Sequence, residues 1–122
     1  MGADQERGVD YVYAERDQPA MRDLPDSQRL AFGQALAMLQ RRESAASIPL
    51  WKPLHAFGSG VGELKHSRWR VVLSIEADPD TIWIVCVFRK DSKSGSKMPK
   101  KHTQLIQASL KRLDGRLMPP SH

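Results

Sequence analysis

The sequence predicts one domain of the α+β class, in which an N-terminal strand and a pair of helices pack on a small, mainly antiparallel sheet followed by a C-terminal helix. Three observations support this prediction. Residues 82–88 form an unbroken apolar run rich in β-branched side chains, which is typical of a strand covered on both faces. Residues 61–66 and 69–76 also have strand-like patterns. Stretches with the apolar spacing of helices lie before and after these three strands.

The chain has 122 residues, enough for one domain with a substantial core, and we expect residues 1–8 and 114–122 to be flexible ends. Residues 1–7 lack the apolar segment of a secretory signal, and no apolar run approaches the roughly 18 residues of a membrane span. We therefore expect a cytoplasmic protein that does not enter the membrane. The single cysteine, Cys86, excludes an intramolecular disulfide and a cysteine-based metal site, and its apolar neighbours predict core packing.

In the N-terminal half, Val9–Tyr13 is predicted to form an edge strand. Asp17 is a candidate N-cap for a short helix that ends before Pro25, and Asp26 is a candidate N-cap for a longer helix that ends near Glu43. The buried face of the longer helix is predicted to comprise Phe32, Ala35, Leu36 and Leu39, widened by Leu30, Ala37 and Met38.

The middle of the chain is predicted to be a loop, a hairpin and a third strand. Residues 44–59 have the composition of a loop, and the glycines between Gly58 and Gly62 indicate a tight backbone path rather than a nucleotide-binding loop, because no helix follows them. If Ser67 and Arg68 form a two-residue turn, His66 pairs with Trp69 and Lys65 pairs with Arg70. Asp78-Pro79-Asp80 is predicted to be the next turn.

Lys65 and Arg70 would then lie opposite each other on a face that is at least partly open. Two adjacent cations repel each other unless an anion lies between them, and a phosphate is such an anion. The alternative is a surface salt bridge in which Glu63, on the same face, neutralises the pair. The pattern alone does not distinguish these two interpretations.

The apolar run leads into a Ser/Gly-rich loop that carries Lys90, Lys93 and Lys97, and Lys90 is predicted to share a face with Ile84, Cys86 and Phe88. Pro99 is expected at the first position of the closing helix. The buried face of the closing helix is predicted to comprise Ile106, Leu110 and Leu113, with Leu105 beside them. Gly115 is predicted to be the helix stop. A buried strand that ends in a cationic loop before a helix is a suitable place for phosphate.

The net charge of +5 is concentrated in the second half of the chain. Residues 1–50 contain six Lys/Arg and eight Asp/Glu, a charge of −2, whereas residues 51–122 contain thirteen and six, a charge of +7. A one-sided positive field favours polyanions such as nucleic acid, or an acidic protein partner. Simple solubility is the alternative, and charge alone does not decide between them.

Several short segments, in order, resemble the phage-derived HigB-like toxins of the RelE/ParE superfamily. The segments are Trp51-Lys52-Pro53-Leu54, Gly60-Val61-Gly62-Glu63-Leu64-Lys65, Arg70-Val71, Phe88-Arg89-Lys90-Asp91-Ser92-Lys93-Ser94-Gly95 and Lys97-Met98-Pro99-Lys100. The resemblance implies a RelE/ParE-like fold and the toxin of a type II toxin–antitoxin module, a metal-independent mRNA endonuclease that requires no cofactor and acts in the ribosome. It also implies a cognate antitoxin with a helix-turn-helix domain.

The chain differs from the family pattern at three positions that bear on the site. Lys65 stands where the family usually has arginine, so that a bidentate phosphate clamp becomes a point charge. Met98 replaces the usual threonine before Pro99, and His102 replaces the acid three residues after that threonine, so that the capping box is missing.

RNA cleavage without a metal needs a proton acceptor for the 2′-hydroxyl, cations for the phosphorane and a proton donor for the leaving oxygen. With the resemblance, this requirement selects the catalytic candidates Lys65, Arg70, Lys90, Lys97 and His102, and the RNA-binding candidates Arg68, Arg89, Lys93, Lys100 and Lys101. His102 is expected to be a polar surface residue in the first turn of the closing helix, where a neutral imidazole could move a proton. Trp51 could stack on a base, but packing in the core is the simpler interpretation of this residue.

The alternative function is a toxin-fold protein without nuclease activity. Such a protein would be either a gyrase-directed toxin or a basic module that only binds nucleic acid. A gyrase-directed toxin would leave RNA intact and induce a DNA damage response, whereas a pure binder would show salt-dependent affinity without toxicity.

Overall fold

One five-stranded sheet organises the computed structural model, which describes residues 6–12, 19–76, 80–90 and 98–117. The strands are β1 (Gly8–Tyr11), β2 (Trp51–Pro53), β3 (Val61–His66), β4 (Trp69–Glu76) and β5 (Thr81–Arg89), and the helices are α1 (Asp26–Gln40) and α2 (Lys100–Leu117). The strand order is β1-β5-β4-β3-β2. Only the β1–β5 pair among these strands is parallel. The predicted α+β class and mainly antiparallel sheet are confirmed.

The register of the β3–β4 hairpin is the one that the sequence predicts. His66 pairs with Trp69 and Lys65 pairs with Arg70 across the turn at Ser67 and Arg68. Ser67 has a φ of 58°, which supplies the positive backbone angle that a two-residue hairpin turn needs. This register fixes which side of the sheet each residue of β3 and β4 occupies, because side chains alternate along a strand.

Helix α1 covers one face of the sheet. The predicted residues Phe32, Ala35, Leu36 and Leu39 are buried, and they pack with apolar side chains of the strands, among them Leu64, Val71, Leu73, Ile82 and Ile84. Met38 packs against this cluster from its edge. Leu30 is 63% exposed, so its predicted place in the buried face is wrong.

The boundaries of the N-terminal helices differ from the prediction. The first helix is one 3-10 turn, Met21–Asp23, in which Asp23 accepts a hydrogen bond from the Ala20 amide at 2.8 Å. Asp17 lies outside the described residues. Asp26 is the first residue of α1 rather than its N-cap, because Pro25 occupies that position, and α1 ends at Gln40 rather than near Glu43.

Helix α2 covers the other face of the sheet. Ile106 and Leu113 are buried there, with Leu105 and Leu110 beside them, against strand residues that include Trp83, Val85 and Phe88. The predicted helix face is therefore confirmed. The helix begins one residue after Pro99 and runs to Leu117, so Gly115 lies within it and the predicted stop there is wrong.

A β-bulge in β5 divides the apolar run between the two faces. Val72 pairs with Cys86, but Leu73 pairs with Ile84, which leaves Val85 as the extra residue. Ile84 consequently packs on the α1 side, whereas Cys86 and Phe88 pack on the α2 side. The predicted common face for Ile84, Cys86 and Phe88 is wrong at Ile84. Burial raises the pKa of the Cys86 thiol to about 12, in agreement with a packing role.

A short edge strand lies inside the segment that the sequence predicts as a loop. Residues 51–53 form β2 and pair with Gly62–Leu64 of β3, and Pro53 is acceptable there because an edge strand has one unpaired side. The glycines after it serve the tight path that the sequence predicts. Gly60 has a φ of 80°, and a Cβ atom on Gly62 would lie 2.3 Å from the Trp51 ring.

The ends of the described chain are held to the domain. Arg7 donates its amide to the Gln40 carbonyl at 2.9 Å, and its Nε lies 3.1 Å from Asp80, which also pairs with Arg42. Gly8 lies in β1 and residues 114–117 lie in α2. The Asp78-Pro79 part of the predicted turn is outside the described residues. No helix in the described ranges is long and apolar enough to cross a membrane.

Candidate functional site

On the α2 side of the sheet, a row of charged side chains lies next to the apolar cluster that packs against α2. Directly paired residues of neighbouring strands lie on the same face. Arg70 pairs with Lys65 on one side and with Phe88 on the other, and Glu63 pairs with Lys52 of β2. Lys90 follows Phe88 by two residues. The predicted Lys65–Arg70 pair is therefore part of a larger charged group.

A pocket of about 300 Å³ opens on this face. Its charged lining consists of Lys52, Glu63, Arg70 and Lys90, and its remaining walls are Leu54, Ala56, Phe57, Phe88, Met98 and Thr103. Lys65 is exposed beside it, opposite Arg70. Three cations, Lys52, Arg70 and Lys90, therefore line this cavity, and a fourth, Lys65, lies beside it.

Arg70 is held in place by the hairpin and is only 6% exposed. Its Nη1 donates hydrogen bonds to the carbonyl oxygens of Ser67 at 2.8 Å and Trp69 at 2.9 Å, and its Nε lies 3.9 Å from Glu63 Oε1. Burial lowers the pKa of the guanidinium, and the charge of Glu63 opposes that shift. Arginine stays charged at neutral pH, so the site holds a fixed, partly desolvated cation.

Lys90 follows the last residue of β5 and lines the same pocket as Arg70. Its amide donates to the carbonyl of Arg68 at 2.6 Å, which anchors the backbone to the hairpin turn. Desolvation lowers the pKa of the Lys90 ammonium, and the charges of Arg70, Lys52 and Lys65 lower it further, whereas Glu63 opposes the shift. The convergence of Lys65, Arg70 and Lys90 on one region therefore lowers a lysine pKa, as crowded cations are expected to do.

Glu63 is buried at 5% exposure among these cations. The carboxylate faces Arg70 at 3.9 Å, so the pairing that the sequence offers as an alternative to phosphate is present, but inside the site rather than on the surface. Its second oxygen, Oε2, is buried and has no hydrogen-bond partner among the described residues. Glu63 therefore neutralises part of the positive field and leaves one acceptor atom unused.

His102 is buried rather than exposed, so the expectation of a polar surface residue is wrong. It is 5% exposed, and its ring stacks on Phe88 with 4.1 Å between ring centroids. Desolvation and the nearby charges of Lys101, Lys90 and Arg70 lower the pKa of the imidazole and so favour its neutral form. Phe88, and not His102, lines the pocket.

The other predicted site residues are dispersed. Arg89 pairs with Trp69, whose side chain packs with the α1 cluster, so Arg89 lies on the face opposite the pocket. Arg68 is exposed in the hairpin turn, and Lys100 and Lys101 are exposed in the first turn of α2. Lys93 and Lys97 lie outside the described residues.

Lys52 lines the pocket, although the sequence pattern does not mark it as a site residue. Strand β2, which carries Lys52, has only three residues, contains a proline and follows a long irregular segment. The alternation of apolar and polar residues in β2 is therefore too short to be recognised in the sequence. The pairing of Lys52 with Glu63 would have indicated it. The same pairing places Trp51 opposite Leu64 on the α1 side, so Trp51 is not available to stack a base in this pocket.

The described residues contain no group of three or more His, Cys, Asp or Glu side chains placed to hold a metal ion. The pocket combines a cluster of cations, the carboxylate of Glu63 and an apolar wall. A polyanion is the class of ligand that this arrangement fits best.

Comparison with known proteins places the chain in a family. The model of the family described as phage-derived protein Gp49-like matches residues 19–111 of the 122. The chain belongs to this Gp49-like family. The matched range contains α1, all the strands from β2 to β5 and most of α2, and so includes every described residue of the pocket.

Among solved structures, a chain of the toxin–antitoxin complex RelBE2 from Mycobacterium tuberculosis is similar to this Gp49-like protein. The two share 19% sequence identity, and the match covers 70% of this chain and 99% of the other with a TM-score of 0.47. No protein of curated function gives a significant match.

Proposed function

We propose that this Gp49-like protein is the toxin of a type II toxin–antitoxin module, and that it cleaves mRNA in the ribosome without a metal ion. The observation that carries the proposal is the group of four cations, Lys52, Lys65, Arg70 and Lys90, around one pocket on one face of the sheet. The sequence resemblance to HigB-like toxins of the RelE/ParE superfamily supports the same function, and the cytoplasm is the compartment in which it would act.

The cations would bind and polarise the scissile phosphate. Arg70 is rigid, because two backbone carbonyls hold its guanidinium, and it would stabilise the extra negative charge of the phosphorane. Lys65 and Lys52 would neutralise the phosphate from either side as point charges. Because Lys65 replaces a bidentate arginine, most of the directional binding falls to Arg70.

Lys90 would protonate the leaving 5′-oxygen. A lowered ammonium pKa makes a lysine a better proton donor, and the half-buried Lys90 has such a pKa because of desolvation and neighbouring cations. His102 lies behind Phe88 and would act by positioning that ring rather than by proton transfer. Lys97 remains a candidate for the same charge cluster, and Arg68, Lys93, Lys100 and Lys101 are candidate contacts to the RNA backbone.

Two partners follow from this function. The ribosome with its mRNA would face the basic side of the sheet, and a cognate helix-turn-helix antitoxin with an acidic or amphipathic segment would cover that side in the inactive complex. A small helix-turn-helix protein encoded next to this chain would agree with the module. Its absence there would remove the antitoxin part of the proposal.

The test is expression of the chain alone in bacteria, followed by primer extension on abundant translated mRNAs. The wild type should arrest growth and produce defined mRNA breaks within minutes, and the Arg70→Ala/Lys90→Ala double variant should do neither. Growth arrest with intact mRNA would overturn the nuclease proposal. A DNA damage response in those cells would then favour the gyrase-directed alternative.

A further inference from the structure

Glu63 combines two features that a purely structural carboxylate would not need. It is buried to 5% exposure inside the cationic pocket, and its Oε2 atom has no hydrogen-bond partner among the described residues. A buried charged oxygen without a donor is costly, and such groups in native proteins call for an explanation. An oxygen that is reserved for a ligand proton is one explanation.

The ion pair with Arg70 does not account for the position of Glu63. The Arg70 Nε lies 3.9 Å from Oε1, beyond hydrogen-bond distance, and the guanidinium already donates to the carbonyls of Ser67 and Trp69. Arg70 therefore keeps its orientation through the hairpin backbone. The carboxylate takes part in the charge balance of the site, but it is not needed to hold the arginine.

We infer that Glu63 is the proton acceptor of the cleavage reaction, with Oε2 taking the proton from the ribose 2′-hydroxyl. This inference rests on the proposed nuclease function and deepens it. Among the described residues that line the pocket, Glu63 is the one acidic group. A carboxylate can accept a proton, whereas ammonium and guanidinium groups only donate. The lining thus contains one acceptor and several cations, which are the two kinds of group that the reaction needs.

The proposed step is balanced. The 2′-oxygen forms a bond to phosphorus as its proton moves to Glu63, and the bond from phosphorus to the 5′-oxygen breaks as that oxygen takes a proton from Lys90. The products are a 2′,3′-cyclic phosphate and a 5′-hydroxyl. Glu63 then loses its proton to water and Lys90 regains one from water, so no metal, oxidant or further reactant is required.

The test compares cleavage and binding in a reconstituted translation reaction with a defined mRNA. Glu63→Gln keeps the side-chain shape but cannot accept the proton, so the single-turnover rate should fall by about 100-fold to 10,000-fold, the usual contribution of a general base. Binding to ribosomes programmed with an mRNA that carries a 2′-deoxy nucleotide at the cleavage position should be unchanged or tighter, because a negative charge is removed. The control is Glu43→Gln, which removes a surface carboxylate that pairs with Arg41 and should leave both quantities within twofold.

The outcomes separate the two proposals. If the wild type cleaves and Glu63→Gln cleaves within threefold of it, Glu63 is not the proton acceptor and the nuclease function stands. If Glu63→Gln loses binding as much as cleavage, the residue is structural and the inference is wrong. If the wild type does not cleave any translated mRNA, the nuclease proposal itself fails.

Discussion

The two faces of the sheet are built from alternate residues of the same strands, yet they differ in what they contain. On the α1 side, Leu64, Val71 and Leu73 pack into a closed apolar cluster with Phe32 and Leu39. On the α2 side, the alternate residues of the strands form two regions. One is an apolar cluster that packs against α2, and the other is a pocket lined in part by charged side chains. One face stabilises the domain, and the other combines stabilisation with a site.

The difference shows how a domain of this size can hold a costly group of like charges. The hairpin backbone fixes Arg70, and the α1 face keeps that backbone in place without using any residue of the site. A substitution on the α1 face should therefore change stability and leave the chemistry alone, and a substitution in the pocket should do the reverse. The following variants test that separation, from the largest expected effect to the smallest.

Phe32→Ala should remove the largest amount of stability, because Phe32 is fully buried in the α1 cluster. The expected loss in the free energy of unfolding is about 3 to 5 kcal/mol, measured by urea denaturation. Leu30→Ala, on the same helix but 63% exposed, is the matched control and should change it by less than about 0.5 kcal/mol. The rate of mRNA cleavage per folded molecule should be unchanged in both, and a tenfold loss in either variant would contradict the separation of the faces.

Arg70→Ala should produce the opposite pattern. Loss of one fixed cation at a developing negative charge costs on the order of 100-fold to 1,000-fold in rate. The control is Arg89→Ala, which lies near the same hairpin end but on the α1 side, and it should change the rate by less than about threefold. Cleavage is measured by primer extension at a temperature where circular dichroism reports both variants as folded. Equal losses for the two arginines would mean that general positive charge, rather than the pocket, supports the activity.

The β3–β4 hairpin and helix α1, on which these two predictions rely, are parts of the fold that the sequence predicts well. The short turn at Ser67 and Arg68 fixes the β3–β4 register, and that register alone places Lys65 opposite Arg70. The helical spacing of apolar residues in α1 likewise predicts its four buried residues. Both predictions succeed because a strong local sequence pattern agrees with the tertiary packing.

The parts that the sequence does not predict depend on contacts distant in the chain. The bulge at Val85 is hidden because every neighbouring residue is apolar, so no polar position marks where the alternation shifts. Strand β2 exists through its pairing with β3 and carries Lys52 into the pocket. His102 is polar and follows two lysines, which gives no sign of its burial, and in the structure its ring stacks on Phe88 of another element.

His102 gives the α2 face a dependence on pH. Its folded-state pKa is lowered, mainly by desolvation, so the unfolded chain binds a proton more readily than the folded one. Stability from this residue is therefore fully present above the unfolded pKa of about 6.5 and is lost as the pH falls through the lower folded value. His102→Phe keeps a ring against Phe88 and should abolish this part of the decline, measured as urea midpoints at several pH values. His55→Phe, at an exposed position, should retain it, and a decline that persists in His102→Phe would assign the effect elsewhere.

Gly115→Ala should have the smallest effect and should be stabilising. Gly115 lies within α2, and, apart from its chain neighbours and the nearby backbone of the helix, no heavy atom lies within 4 Å of the position that an added Cβ would occupy. Alanine in place of glycine inside a helix is worth about 0.5 to 1 kcal/mol, which thermal denaturation can detect. Gly60→Ala provides the contrast, because that glycine has a φ of 80° and its Cβ would lie 2.7 Å from the Ile75 carbonyl oxygen, so the substitution should be destabilising. A destabilising Gly115→Ala would contradict the open surroundings of this helix position.

The most direct test of the cationic pocket as an RNA-cleaving site is the chemistry of the ends that it produces. A translated mRNA cut by the purified protein should carry a 5′-hydroxyl, labelled by polynucleotide kinase without prior phosphatase treatment, and a 2′-deoxy nucleotide at the cut position should abolish the break. Both results are expected if the ribose 2′-hydroxyl attacks the scissile phosphate. A 5′-phosphate, or cleavage at the 2′-deoxy position, would contradict the account.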